Sequence, residues 1–105
     1  MESSMYKIKT SIVEYVEFKP LNGVKDEQVF SALKETDSLL QDIKGFKSRL
    51  IAKSDQIFVE VVYWDSQEEA SKGLKIFQED IRSKNLFNLI DKDTVTIRYS
   101  SIVDL

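Results

Sequence analysis

Ile57 to Trp64 reads IFVEVVYW, an apolar run interrupted only by Glu60. A polar loop precedes it and a helix start follows, so it is too short for a buried helix of ordinary length and fits a strand. Alternation puts Ile57, Val59, Val61 and Tyr63 on one face and Phe58, Glu60, Val62 and Trp64 on the other. A strand that is apolar on both faces has to be covered on both. This one feature demands a sheet with a layer packed on each side.

The rest of the chain supplies one of those layers. Met5 to Phe18 alternates, with Tyr6, Ile8, Thr10, Ile12, Glu14, Val16 and Phe18 sharing a face, and predicts a long first strand that ends at the Lys19 to Gly23 turn. From Lys25 the spacing becomes helical, with Val29, Leu33, Leu40 and Ile43 on one side, until Gly45 stops it. Phe46 to Ala52 predicts a second strand, joined to Ile57–Trp64 by the hairpin loop Lys53 to Gln56. Ser66 and Glu69 have capping-box spacing ahead of a stripe of Ala70, Leu74, Phe77 and Ile81, with Gly73 allowing close packing. Leu86 to Ile90 reads as a helical turn, Asp91 to Asp93 as a bend and Thr94 to Val103 as the last strand.

The order β-α-β-β-α-β is the ferredoxin-like arrangement: a four-stranded antiparallel sheet with two helices on one face. At 105 residues it is expected to form a single domain, residues 1–105. Two helices cover one sheet face only. The other is left apolar, a larger patch than monomers normally expose, and its simplest cover is a second copy of the same sheet. The expected partner is therefore the chain itself, as a homodimer.

Composition removes much chemistry. The chain has no cysteine and no histidine, which excludes disulfides, thiolate nucleophiles, Cys/His zinc sites and the Ser-His-Asp triad. Its formal net charge is -3, and its lysines stand singly among carboxylates, so nucleic acid is not an expected partner. The RNA-binding version of this topology is disfavoured too, because the third strand lacks the basic-glycine-aromatic signature that stacks bases. Asp91 and Asp93 lack the further ligands of a calcium loop, and no metal is expected. No apolar run reaches the ~18 residues of a membrane span, and MESSMYKIKT has no apolar stretch of the signal-peptide kind. The expected location is cytoplasmic, away from membranes.

Gly45-Phe46, the polar hairpin, and Val61-Val62-Tyr63-Trp64-Asp65-Ser66 followed by Glu68, Glu69 and Ala70 resemble the dimeric α/β-barrel superfamily that includes the antibiotic-biosynthesis monooxygenases. The resemblance covers nearly the whole chain and implies that two sheets pack into a barrel. It implies either a cofactor-independent monooxygenase or related enzyme acting on a hydrophobic aromatic molecule, or a non-catalytic ligand-binding or interaction module. In the haem-degrading branch the tryptophan matched by Trp64 is joined by a histidine on the second helix and an asparagine on the first strand. Here the histidine's place falls near Leu74 and the first strand has no asparagine. No cofactor is expected.

The candidate pocket residues are Trp64, Phe58, Val62, Phe30, Phe77 and Phe46. Two roles are open for Trp64: a wall of the pocket, or a plug at the end of the core with its N–H on a polar partner. Glu60 is the candidate catalytic base, since a carboxylate buried mid-strand has a raised pKa when desolvated. Its other reading is structural, because Glu14 and Glu60 can both meet Arg98 as an ion pair across neighbouring strands.

Overall fold

The computed structural model describes residues 6–105, so the expectation for Met5 lies outside the described residues. Among them the order is β1 (Lys7–Pro20), α1 (Asp26–Glu35), α2 (Asp37–Asp42), β2 (Phe46–Ser54), β3 (Ile57–Trp64), α3 (Gln67–Glu79), a 3-10 turn (Ile81–Ser83), α4 (Lys84–Leu89) and β4 (Ile90–Asp104). The strands form one antiparallel sheet in the order β2-β3-β1-β4. This is the expected ferredoxin-like topology. β3 has the bounds its apolar run predicts, and its buried residues are Phe58, Glu60, Val62 and Trp64.

Those residues, with Ile12, Glu14 and Phe18 of β1, face the helices. They do not form one continuous core. Ile12, Val62 and Trp64 pack with Leu39, Leu40, Ile43 and Ala70 in one cluster. Phe18 and Phe58 pack with Val29, Ala32, Leu33, Leu86 and Ile90 in another. Glu14 and Glu60, both buried, stand on the sheet between the two.

The single first helix expected from the periodicity is broken at Thr36 into α1 and α2. The cause is Arg49 of β2, whose buried guanidinium reaches into the break. It donates to the Thr36 hydroxyl (2.7 Å), the Leu33 carbonyl (3.0 Å), Glu60 Oε1 (3.2 Å) and Asp37. The Thr36 hydroxyl also donates to Leu33 (2.6 Å). With Leu33's carbonyl committed to these donors, a uniform i to i-4 ladder cannot pass through the site.

Other expectations need correction. Asp91 to Asp93 are not a bend but part of β4, paired through Lys19–Asp91 and Pro20–Ile90. The β2-β3 connection tightens to Asp55-Gln56, with Asp55 at a φ of 53°. Ile81 lies beyond α3 and is 81% exposed, so it is no part of the helix stripe. The Ser66 box is half formed: the hydroxyl accepts from the Glu69 N–H (3.2 Å), while the Glu69 carboxylate meets that same hydroxyl.

Removing Arg49 leaves Glu60 buried beside no cation and frees the Leu33 carbonyl. Arg49→Met is expected to cost about 3–5 kcal/mol at neutral pH, measured by urea unfolding. A loss below about 1 kcal/mol would show that the stitch contributes little.

Candidate functional site

Between the two clusters lies a cavity of about 400 Å³. Its floor is the sheet, with Glu14, Val16 and Phe18 of β1 and Glu60, Val62 and Trp64 of β3. Its roof is Gly73, Leu74 and Phe77 of α3, with Leu86 and Phe87 of α4 closing one side. Phe77 touches both clusters and spans the gap. The space is of drug-ligand size and mostly apolar, with two carboxylates converging on it.

Trp64 is held from three directions. Phe46 packs edge-on at 5.9 Å. Gly73 lies against the ring so closely that a Cβ there would sit 2.4 Å from Cη2. The indole N–H donates to Glu14 Oε1 at 2.8 Å. The register explains this last bond. Ile12 faces Trp64 and Glu14 faces Val62, so Glu14 and Trp64 are diagonal neighbours on one face. Trp64 is thus both cavity wall and end plug, and its polar partner is Glu14.

The two carboxylates differ in their partners. Among the described residues Glu60 has the Arg49 guanidinium, while Glu14 has only a neutral N–H. Burial pushes the Glu14 carboxyl above its ordinary value; the Trp64 bond opposes this and the Glu60 charge adds to it. Burial likewise pushes Glu60 up, against the attraction and hydrogen bond of Arg49. Tyr99, opposite Glu14 on β4, is pushed up to about 12 by burial and by the Glu14 charge. Its hydroxyl is buried with no partner among the described residues.

The structure brings together Trp64, Val62, Phe77, Glu60 and Glu14 at the cavity. It does not bring Phe58, Phe30 or Phe46 there. Phe58 stacks on Phe18 at 5.5 Å inside the second cluster, Phe30 lies edge-on to it and is 45% exposed, and Phe46 backs Trp64. The expected ion pair with Arg98 is also overturned. Arg98 faces Tyr15 on the uncovered side of the sheet, its guanidinium 5.2 Å from that ring. Odd and even positions of a strand point to opposite faces, and Arg98 has the wrong parity to meet Glu14 or Glu60.

Arg49, the partner Glu60 does have, was hidden by a bulge. Phe46 is opposite Trp64 but Ser48 is opposite Tyr63, so one extra residue shifts the alternation and turns Arg49 to the helix side. Lys92 and Gln78 also line the cavity, and no sequence signal marked them. No group of three or more acidic, cysteine or histidine residues that could hold a metal occurs among the described residues. Nor is any described helix long and apolar enough to cross a membrane.

No family model matches the chain, and no curated protein matches it. Solved structures do share its fold. A candidate antibiotic biosynthesis monooxygenase from Bordetella bronchiseptica superposes with a TM-score of 0.74 at 14% identity, covering 88% of this chain and 96% of that one. SnoaB, a cofactor-independent oxygenase from Streptomyces nogalater, gives 0.64 at 12% identity over 89% and 91% of the two chains. A dimeric ferredoxin-like protein from an uncultured marine organism gives 0.55 at 18% identity over 92% and 90%. The expected ferredoxin-like fold is borne out, and these proteins share it.

Two outcomes follow from this geometry. Gly→Ala inside a helix usually stabilises by about 0.5–1 kcal/mol, but Gly73→Ala drives a methyl into the indole and is expected to destabilise by about 1–3 kcal/mol; thermal unfolding reads the sign. Glu14 and Glu60 both have raised folded pKa values, so each favours the native state most below the ordinary 4.5, and that contribution is lost as pH rises through the folded value. Glu14→Gln, which keeps an acceptor for Trp64, is expected to flatten the fall in stability above pH 4.5 and to be no less stable than the parent at pH 7, as urea midpoints across pH will show.

Proposed function

We propose that the chain is a small homodimeric enzyme of the cofactor-independent oxygenase type, acting on a hydrophobic aromatic molecule held between sheet and helices. One observation carries this reading: a cavity of about 400 Å³, apolar over most of its wall and bordered by Trp64 and Phe77, onto which two buried carboxylates converge. A filled core needs neither the space nor the carboxylates. The likeness to SnoaB supports the same reading.

The chemistry asks for little. A carboxylate removes a proton from an electron-rich aromatic, and the anion reduces dioxygen; one oxygen atom enters the substrate, and the other leaves as water with two substrate hydrogens. The apolar walls exclude water and strengthen the carboxylate's interaction with the ligand. Such a step needs no metal or organic cofactor.

The dimer follows from the uncovered face. Val13 and Tyr15 of β1, Leu50 of β2 and Ile57, Val59, Val61 and Tyr63 of β3 all lie on the side without helices. Leu50 is 57% exposed there. A second sheet covers this strip by symmetry, and a structural neighbour is described as dimeric.

A second reading, a ligand-binding module without turnover, draws on the Arg49–Glu60 ion pair, since a paired carboxylate fits a structural role. Oxygen uptake in cofactor-free buffer, with a panel of reduced polycyclic phenols, separates the two. The enzyme reading predicts uptake equimolar with substrate consumed; saturable binding without uptake supports the module. Sedimentation of Val61→Glu, which places a charge in the middle of the uncovered face, is expected to show a monomer where the parent is a dimer. A monomeric parent would contradict the sheet-to-sheet assembly.

A further inference from the structure

We infer that Glu14, and not Glu60, is the carboxylate that accepts the ligand's proton, with Trp64 as the positioning residue that aims it, so that the cavity takes a flat apolar molecule through an acidic O–H. This rests on the enzymatic reading above and names the group that performs its first step.

The two carboxylates compete for that role, and their partners decide between them. Glu60 Oε1 is bound to a guanidinium that is itself fixed by Thr36, Leu33 and Asp37. Protonating Glu60 cancels that ion pair in a buried place, so a proton from the ligand is poorly received there. Glu14 forms no ion pair with any described lysine or arginine. Its Oε1 is fixed by the indole N–H, its Oε2 has no hydrogen-bond partner among the described residues, and the residue lines the cavity. The second oxygen of Glu60 is equally without a hydrogen bond, so the cation on Glu60 and the neutral donor on Glu14 are what separate the two. A buried carboxylate oriented by a neutral donor, with no cation to be left unpaired on protonation, is arranged to receive a proton.

The surroundings of Glu14 agree. β3 presents Glu60 and Trp64 to it, with Arg49 of β2 behind Glu60, and β4 presents Tyr99, with Lys92 elsewhere on the cavity wall. The cavity faces of α3 and α2 contribute Gly73, Leu74, Phe77, Gln78 and Leu40, none of them titratable. In the step itself the ligand O–H bond breaks, its electron pair stays on the ligand oxygen, and the proton passes to Glu14 Oε2. The negative charge moves from protein to ligand, and the net charge of the cavity is unchanged.

The test uses a chromogenic naphthol whose absorbance distinguishes the neutral from the ionised form, with binding followed separately by equilibrium dialysis. The bound probe is expected to shift toward the anion spectrum in the parent and in Glu60→Gln. In Glu14→Gln it is expected to bind unshifted. Trp64→Phe, which keeps an aromatic ring but loses the N–H, is expected to reduce the shift and to lower kcat with little change in KM. If oxygen uptake is found, E14Q is expected to lose roughly 100-fold or more in turnover and E60Q less than about tenfold. A shift that survives in E14Q, a shift abolished only in E60Q, or a probe that does not bind the parent would each overturn the assignment. A shift without oxygen uptake on any substrate sinks the oxygenase reading and leaves the proton acceptor standing.

Discussion

Two carboxylates on the buried face of a sheet cost more than the fold can bear unless each meets a donor, and the structure is arranged around the donors they find. Glu60 takes Arg49, and Arg49 in turn parts α1 from α2 by occupying the carbonyl of Leu33. Glu14 takes the indole of Trp64, which requires the end of β3 to sit under α3 with no side chain at position 73. The polar pair stands on the sheet between the two apolar clusters. Two cores form, and the cavity is the gap between them.

That origin argues against the cavity being a by-product of packing alone. Apolar residues at positions 14 and 60 would fill the gap and bury more surface. The chain instead keeps two groups whose charged forms are disfavoured by burial, beside aromatic walls and at the mid-point of the sheet. Local cost retained at one place in an otherwise consistent fold points to use. The two carboxylates are asymmetric: Glu60 is paired with the guanidinium that sits at the helix break, and Glu14 with the neutral N–H of Trp64.

Topology was legible because each element carries its own signal. The apolar run of β3 has the bounds of the strand, Ser66 caps α3, and Gly73 sits where a large ring comes close. The site was legible only in part, because pairing across strands depends on register, which alternation alone does not supply. Trp64 and Glu60 stood out as a large aromatic and a lone charge. Their partners did not. The bulge after Phe46 turned Arg49 inward against the plain alternation of β2, and Arg98 looked suitable until parity placed it on the other face. The break at Thr36 follows from the same guanidinium and was invisible to helical spacing, which continues through it. The phenylalanines divided by place and not by type: Phe77 bridges the two clusters, while Phe58 and Phe46 belong to one each.

Trp64 is the chain's only tryptophan and a wall of the cavity, so its emission reports on that space without any label. A fluorescence titration of the parent protein with a flat phenolic aromatic at neutral pH tests most directly whether the gap between the two cores is a ligand site. Saturable quenching with one site per protomer is the predicted result. Emission that stays unchanged up to the solubility limit, or that falls linearly without saturation, would contradict it.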